Sequence, residues 1–296
     1  MKKIILFLVI VVAGCNTSTK KKIDLKPQHD AALAIEYGPA APLALKSMLI
    51  SNGCPGDHLI NFNDACDLVS DMLRYERLFE MDSIHGLGGF MDSARFTKAW
   101  EDAEVIQFYP CMNRDNGDVF LSFKDVKGYK YDLSSTLCDL TDNEMLDRST
   151  NTFTYDKDRT QVAPSDVANF ISTMKTETGI SEVKLDGSVV REMNDYFFTQ
   201  YTINGSDLNN FHCGAMNKCE ILQLLNQVDS LKVAYNCVGI RYFFSYDNTR
   251  DNKIRLVLCG VNSDGSNLIH YSTGEAAMML EKEWPPDAPS DSSSHH

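Results

Sequence analysis

The chain repeats itself, and a repeat limits the possible folds more than any single motif does. Displaced by 121 positions, the stretch Val69 to Arg95 lies over Val190 to Met216 without a gap. Val69 meets Val190, Met72 meets Met193, Tyr75 meets Tyr196, Leu87 meets Leu208, Phe90 meets Phe211 and Ala94 meets Ala215. Downstream, Val105-Ile106-Gln107-Phe108-Tyr109 answers Gly239-Ile240-Arg241-Tyr242-Phe243, with Ile106 on Ile240, Phe108 on Tyr242 and Tyr109 on Phe243. Each copy then crosses a polar loop into a second strand-like run, Val119 to Phe123 and Ile254 to Leu258. A Gly-containing turn leads to a third, Tyr129 to Tyr131 and Leu268 to Tyr271. Alternating aromatic and β-branched residues between Gly, Asn and Asp turns predict a three-stranded antiparallel meander in each copy.

Upstream of each meander the apolar spacing becomes helical. Pro164-Ser165 opens a segment with Val167, Phe170, Ile171 and Met174, stopping at Gly179; Pro42 precedes its counterpart with Leu45, Met48 and Leu49, stopping near Gly53. Asp186 is placed to cap a helix bearing Val189, Val190, Met193 and Phe197, matched by Asn63 before Ala65, Leu68, Val69 and Met72. A third helix is predicted through Ile221, Leu224, Leu225, Val228 and Leu231, with Asn217 and Glu220 as a capping-box variant, and its counterpart from about Asp92 to Ala103. Short apolar pieces at Leu59-Ile60-Asn61-Phe62 and Val183-Lys184-Leu185 are expected to add an edge strand to each sheet. The fold class is therefore α+β: two tandem similar units, each about three helices packed on a small antiparallel meander sheet. The first unit is expected over 39–139 and the second over 163–283, joined by a polar linker, 140–162, and followed by a Pro- and Ser-rich tail, 284–296, with the composition of disorder.

The N-terminus has a different grammar. Lys2 and Lys3 precede an apolar run from Ile4 to Ala13, too short to span a bilayer, which takes about twenty apolar residues. This is the pattern of a secretion signal, expected over 1–14. Val12-Ala13-Gly14-Cys15 resembles the bacterial lipobox, and the resemblance implies that Cys15 receives a lipid and becomes the mature N-terminus, tethered through 15–38. The leader, the Lys/Thr/Ser tether and the helix-plus-meander units together resemble uncharacterised lipoproteins of Bacteroidota. That resemblance implies a cell-envelope location. Asn16 stands where the enterobacterial inner-membrane signal has Asp, so the outer membrane is the expected placement, periplasmic or surface-exposed.

Loss of Lys2 and Lys3 with the leader takes the formal charge from -13 to -15. Such a chain lacks the Lys and Arg surplus by which proteins neutralise phosphate backbones, which argues against a nucleic-acid partner. The basic cluster Lys20-Lys21-Lys22 reads as a solvated tether or as a contact to anionic head groups.

Eight further cysteines, Cys54, Cys66, Cys111, Cys138, Cys213, Cys219, Cys237 and Cys259, permit disulfides in an exported chain without revealing connectivity. Cys54 with Cys66 and Cys213 with Cys219 are the local pairs best placed for a bridge. Cys259 lies in the apolar run Leu256 to Cys259 and reads as core. His212-Cys213 with Cys219 lacks the second ligand pair of a structural zinc site, and Cys54 with His58 is only adjacent in sequence. No nucleophile elbow, phosphate loop or His-Glu-x-x-His is present, so no catalytic residue, metal or cofactor is assigned. His85 and His212 both lie near the aligned Phe90 and Phe211 but do not align with each other.

Three functions follow in order of support. The first is a membrane-anchored, non-catalytic binding or assembly lipoprotein with an envelope protein partner. The second is a hydrolase with its site in an interdomain cleft. The third is an inhibitor or immunity lipoprotein against an exported toxin, whose acidic surface would meet a basic partner.

Overall fold

The computed structural model describes residues 59–78, 86–94, 105–126, 140–155, 162–175, 183–200, 213–247 and 253–282. The leader, Cys15, the Pro42 helix, the strand at Tyr129 to Tyr131 and the tail lie outside them, as does the Asp92 to Ala103 helix beyond Ala94. The fold is α+β, with antiparallel sheets and, among the described residues, four helices. These are α1 (Phe62–Leu78), α2 (Pro164–Thr173), α3 (Gly187–Gln200) and α4 (Lys218–Leu225).

The strands of the first part are β1 (Leu59–Ile60), β2 (Gly88–Asp92), β3 (Val105–Met112), β4 (Val119–Val126), β5 (Met145–Arg148) and β6 (Thr150–Phe153). They continue with β7 (Lys184–Asp186), β8 (Gly214–Asn217), β9 (Asn226–Val228) and β10 (Ala234–Asn236). The last are β11 (Gly239–Asp247), β12 (Lys253–Val261), β13 (Asn267–Leu268) and β14 (Met279–Lys282).

The β-rich runs form long hairpins, as their alternation predicts. β3 pairs with β4 from Val105↔Val126 to Met112↔Val119, and β11 with β12 from Gly239↔Val261 to Asp247↔Lys253. The larger sheet runs β1-β14-β12-β11-β2-β6 with β13 beside β12; the smaller runs β7-β5-β4-β3-β8. Pairing thus crosses between the two expected units. β2, from the first, pairs with β11 of the second, while β8, from the second, pairs with β3 of the first. Both crossings place a glycine under an aromatic ring. A Cβ on Gly89 would lie 2.6 Å from the Tyr242 hydroxyl oxygen, and one on Gly214 2.4 Å from the Phe108 ring. No larger residue leaves room for those rings to lie across the neighbouring strand.

Each long strand splits its side chains between two faces. Phe108, Leu121, Phe123 and Met216 of the small sheet join Tyr242, Phe244, Leu256 and Leu258 of the large one in a common core. The opposite face of the small sheet, with Tyr109, Cys111 and Phe120, is covered by Val190 and Met193 of α3. One polar corner ties the sheets together. Ser149, between β5 and β6, carries the chain from the small sheet to the large one, and its Oγ accepts the Leu121 N–H at 3.0 Å. The Tyr242 hydroxyl sits 2.8 Å from that Oγ and accepts the same N–H at 3.1 Å. Burial raises the Tyr242 phenol above its ordinary range.

Helix boundaries follow local chemistry. Asn61, rather than Asn63, caps α1: its Oδ1 accepts the Asp64 N–H and its Nδ2 donates to the Asp64 carboxylate, each at 2.9 Å. Pro164 opens α2, and Asp166 accepts the Ala163 N–H at 3.2 Å. That helix ends at Thr173, ahead of the expected stop at Gly179. Arg74 of α1 donates to the Val162 carbonyl through Nε (3.1 Å) and Nη2 (2.9 Å), fixing α1 against the entry to α2. Residues 140–162, read from sequence as a linker, contain β5 and β6, one in each sheet.

Candidate functional site

The residues that sequence singled out are dispersed. Cys15, Cys54, Cys138, His58, His85 and His212 lie outside the described residues. Cys213 and Cys219 are both disulfide-bonded, which removes them as metal ligands or nucleophiles. Cys66, expected to pair with Cys54, is a free buried thiol, as are Cys111, Cys237 and Cys259. Burial pushes Cys66, Cys111 and Cys259 up to about 12 and Cys237 to about 11, so all four are inert core thiols near neutral pH. The strand aromatics Phe108, Tyr109, Tyr242 and Phe243 are all buried and leave no outward aromatic patch. Among the described residues no three His, Cys, Asp or Glu side chains gather as a metal group.

The surface draws attention elsewhere, to the small hairpin that follows α4. Among the described residues β9 and β10 pair only with each other, from Asn226↔Asn236 to Val228↔Ala234. The spacing Ile221, Leu224, Leu225, Val228, Leu231 fits a helix. α4 nonetheless stops at Leu225, where Asn226 turns its amide back onto the Leu222 carbonyl at 3.0 Å. The first three apolar residues are buried, while the last two are carried outward by the hairpin. Leu231 is 72% exposed, Val233 47%, Val228 42% and nearby Leu222 37%. Exposed aliphatics grouped on one projection are what a contact surface requires.

The tip is tightly constrained. The Asp229 N–H donates to the Val233 carbonyl at 3.1 Å and the Lys232 N–H to the Asp229 carbonyl at 3.0 Å. The Asp229 carboxylate accepts the Val233 N–H at 2.9 Å and the Tyr235 hydroxyl at 3.2 Å. Lys232, between the two most exposed aliphatic side chains of the hairpin, has φ +64°, the one positive φ outside glycine among the described residues. That conformation costs about 1–2 kcal/mol for an L-residue. Strain of this kind collects at functional positions.

The base is locked as well. Tyr235 and Ser272 place their hydroxyls 2.5 Å apart, and the Ser272 N–H donates to Tyr235 at 2.7 Å. The Tyr235 and Tyr271 rings lie 4.9 Å apart. Glu275 accepts the Ser230 N–H at 3.2 Å, and this hydrogen bonding holds its carboxyl below the ordinary range. Beneath, Gln227 donates to the Leu224 carbonyl at 3.0 Å and accepts from the Tyr271 hydroxyl at 2.9 Å and the Met278 N–H at 2.8 Å. The hairpin is a rigid convex knob with an apolar crown and a single ammonium.

Comparison with protein-family models, with curated proteins and with solved structures finds no match.

Proposed function

We propose that this chain is a membrane-anchored lipoprotein of the bacterial cell envelope that works by binding or assembly rather than by catalysis. The observation that carries the contact role is the β9–β10 knob, whose aliphatic crown is held out from the body by a locked base. Anchorage rests on the lipobox-like Val12-Ala13-Gly14-Cys15 behind a charged, apolar leader. The disulfide-bonded state of Cys213 and Cys219 agrees with an oxidising compartment outside the cytoplasm. An outer-membrane position, facing the periplasm or the outside, is part of the same reading.

The two halves also read as an internal duplication whose copies have exchanged segments. Its support is the shared strand order. β1-β14-β12-β11-β2 corresponds to β7-β5-β4-β3-β8, with α1 following β1 as α3 follows β7. Ile106 faces Met216 as Ile240 faces Met91, which matches β2 to β8 at an offset of 125, four residues beyond the gapless alignment at 121. Each copy thus lends its β-α-β segment to one sheet and its long hairpin to the other.

Growth of the producing cells with a labelled fatty acid tests the anchor. The wild-type chain should carry label and float with membranes, and Cys15→Ser should lose both; label retained in that variant would refute lipidation at Cys15. Gentle crosslinking on intact cells, followed by mass spectrometry, then tests the binding role. A lipid-anchored chain that remains a contact-free monomer would refute it.

A further inference from the structure

The turn of the β9–β10 hairpin carries its own hydrogen bonds. From Asp229 to Val233, the N–H groups of Asp229, Ser230, Lys232 and Val233 all donate within the chain. The Leu231 N–H and the carbonyls from Ser230 to Lys232 take no partner among the described residues, so the apex backbone belongs at the head-group level, where water and phosphate reach it, and only its side chains can go deeper.

The side chains agree. Leu231 and Val233 point outward on either side of Lys232, whose left-handed backbone holds the residue strained between them. A lysine so placed can keep its stem among apolar groups and its ammonium at a phosphate. The one carboxylate between Val228 and Val233, Asp229, is 3% exposed and occupied by Val233 and Tyr235. Glu275, at the base, is engaged by the Ser230 N–H at 3.2 Å.

We propose that this tip seats in the surface of a lipid bilayer, with Leu231 and Val233 at the level of the acyl chains and the Lys232 ammonium at the phosphates. The inference rests on the anchored reading above and names the contact of its knob. A mature body of net charge -15, counted without Lys2 and Lys3, is repelled by anionic lipid, so the surface is zwitterionic. A few aliphatic side chains suffice, each contributing about tenfold to partitioning, because a lipid on Cys15 keeps the body close to the membrane.

The test uses the full lipid-anchored chain in phosphatidylethanolamine–phosphatidylcholine vesicles containing brominated acyl chains. Leu231→Trp supplies a reporter at the tip and Met145→Trp, at an exposed site on β5, the control; both are read against the wild-type Trp100 and Trp284 background. The expected result is blue-shifted, bromolipid-quenched emission from position 231 and none from 145. Adding Val233→Asp to the tip reporter should weaken the quenching about tenfold while leaving the thermal midpoint in place. Vesicle flotation separates the two levels. A chain that floats while its tip tryptophan is quenched only by aqueous acrylamide overturns the tip inference and leaves the anchor standing; a chain that does not float overturns both. A blue shift without bromolipid quenching means that protein covers the tip, and also overturns the inference.

Discussion

Two hairpins follow one another in the chain, separated only by Cys237 and Val238, and treat their apolar residues in opposite ways. In β11–β12 every residue from Gly239 to Asp247 is buried, including the charged Arg241 and Asp247. In β9–β10 the aliphatics stand in solvent, and the buried members are Gln227 and Asp229. The first hairpin sits between packed layers and takes partners on both faces. The second is fixed through its polar groups, and its aliphatic ones stay exposed. Hydrophobicity alone does not separate core from contact surface; what separates them is which atoms the rest of the chain has already engaged.

The largest change should come from the buried side of this comparison. Arg255 of β12, 1% exposed, is ion-paired with Glu281 of β14, and Glu281→Ala removes the carboxylate from that buried pair. A loss of about 3–5 kcal/mol in urea unfolding is expected. Alkali should act next. The Cys66, Cys111 and Cys259 thiols are raised to about 12 and Cys237 to about 11, so the folded state holds protons that the unfolded chain releases near pH 8.5. Their contribution is complete below that pH and lost as pH rises toward 11–12. The melting temperature should fall over this window, and thiol-blocking reagents should find these four cysteines only after it has fallen.

Smaller effects sharpen the contrast. Gly89→Ala drives a Cβ against the Tyr242 ring and should cost about 1–3 kcal/mol, whereas Tyr242→Phe, which removes the corner hydroxyl, should cost about 1–2 kcal/mol. On the exposed hairpin the sign reverses: Lys232→Gly relieves the left-handed backbone and should stabilise the chain by about 1 kcal/mol while weakening contact. Leu231→Asp should move stability by less than about 0.5 kcal/mol. A large loss there would mean that the crown belongs to the core and not to a surface.

Much of this fold is legible in the sequence because strand alternation and turn residues act locally. The β3–β4 and β11–β12 hairpins, the short strand at Leu59–Ile60 and, shifted by one residue, that at Lys184–Asp186 follow from spacing, as do the buried faces of α1 and α2 and that of α3 except for Val189, which is 36% exposed. What the sequence hides is set by longer-range pairing. Neighbouring elements usually pair, which favours two self-contained sheets; instead β2 and β8 each cross to the other half, and only the facing pairs Gly89/Tyr242 and Gly214/Phe108 record it. Met145 to Phe153 looks like a linker because its strands are short and polar, and its value lies in Ser149 as the corner between sheets. The candidate site was concealed by a coincidence of period. Val228 and Leu231 continue the spacing of α4, and the signal that they leave it is Asn226 followed by Asp229-Ser230, residues that turn the backbone.

The most direct measurement is hydroxyl-radical footprinting of the protein in its own cell envelope, with Met145 as the exposed internal reference. If the hairpin crown is a contact surface, Leu231 and Val233 will be labelled far below the rate their 72% and 47% exposure sets, while Met145 at 52% is labelled freely. Labelling of all three in proportion to exposure would contradict the account.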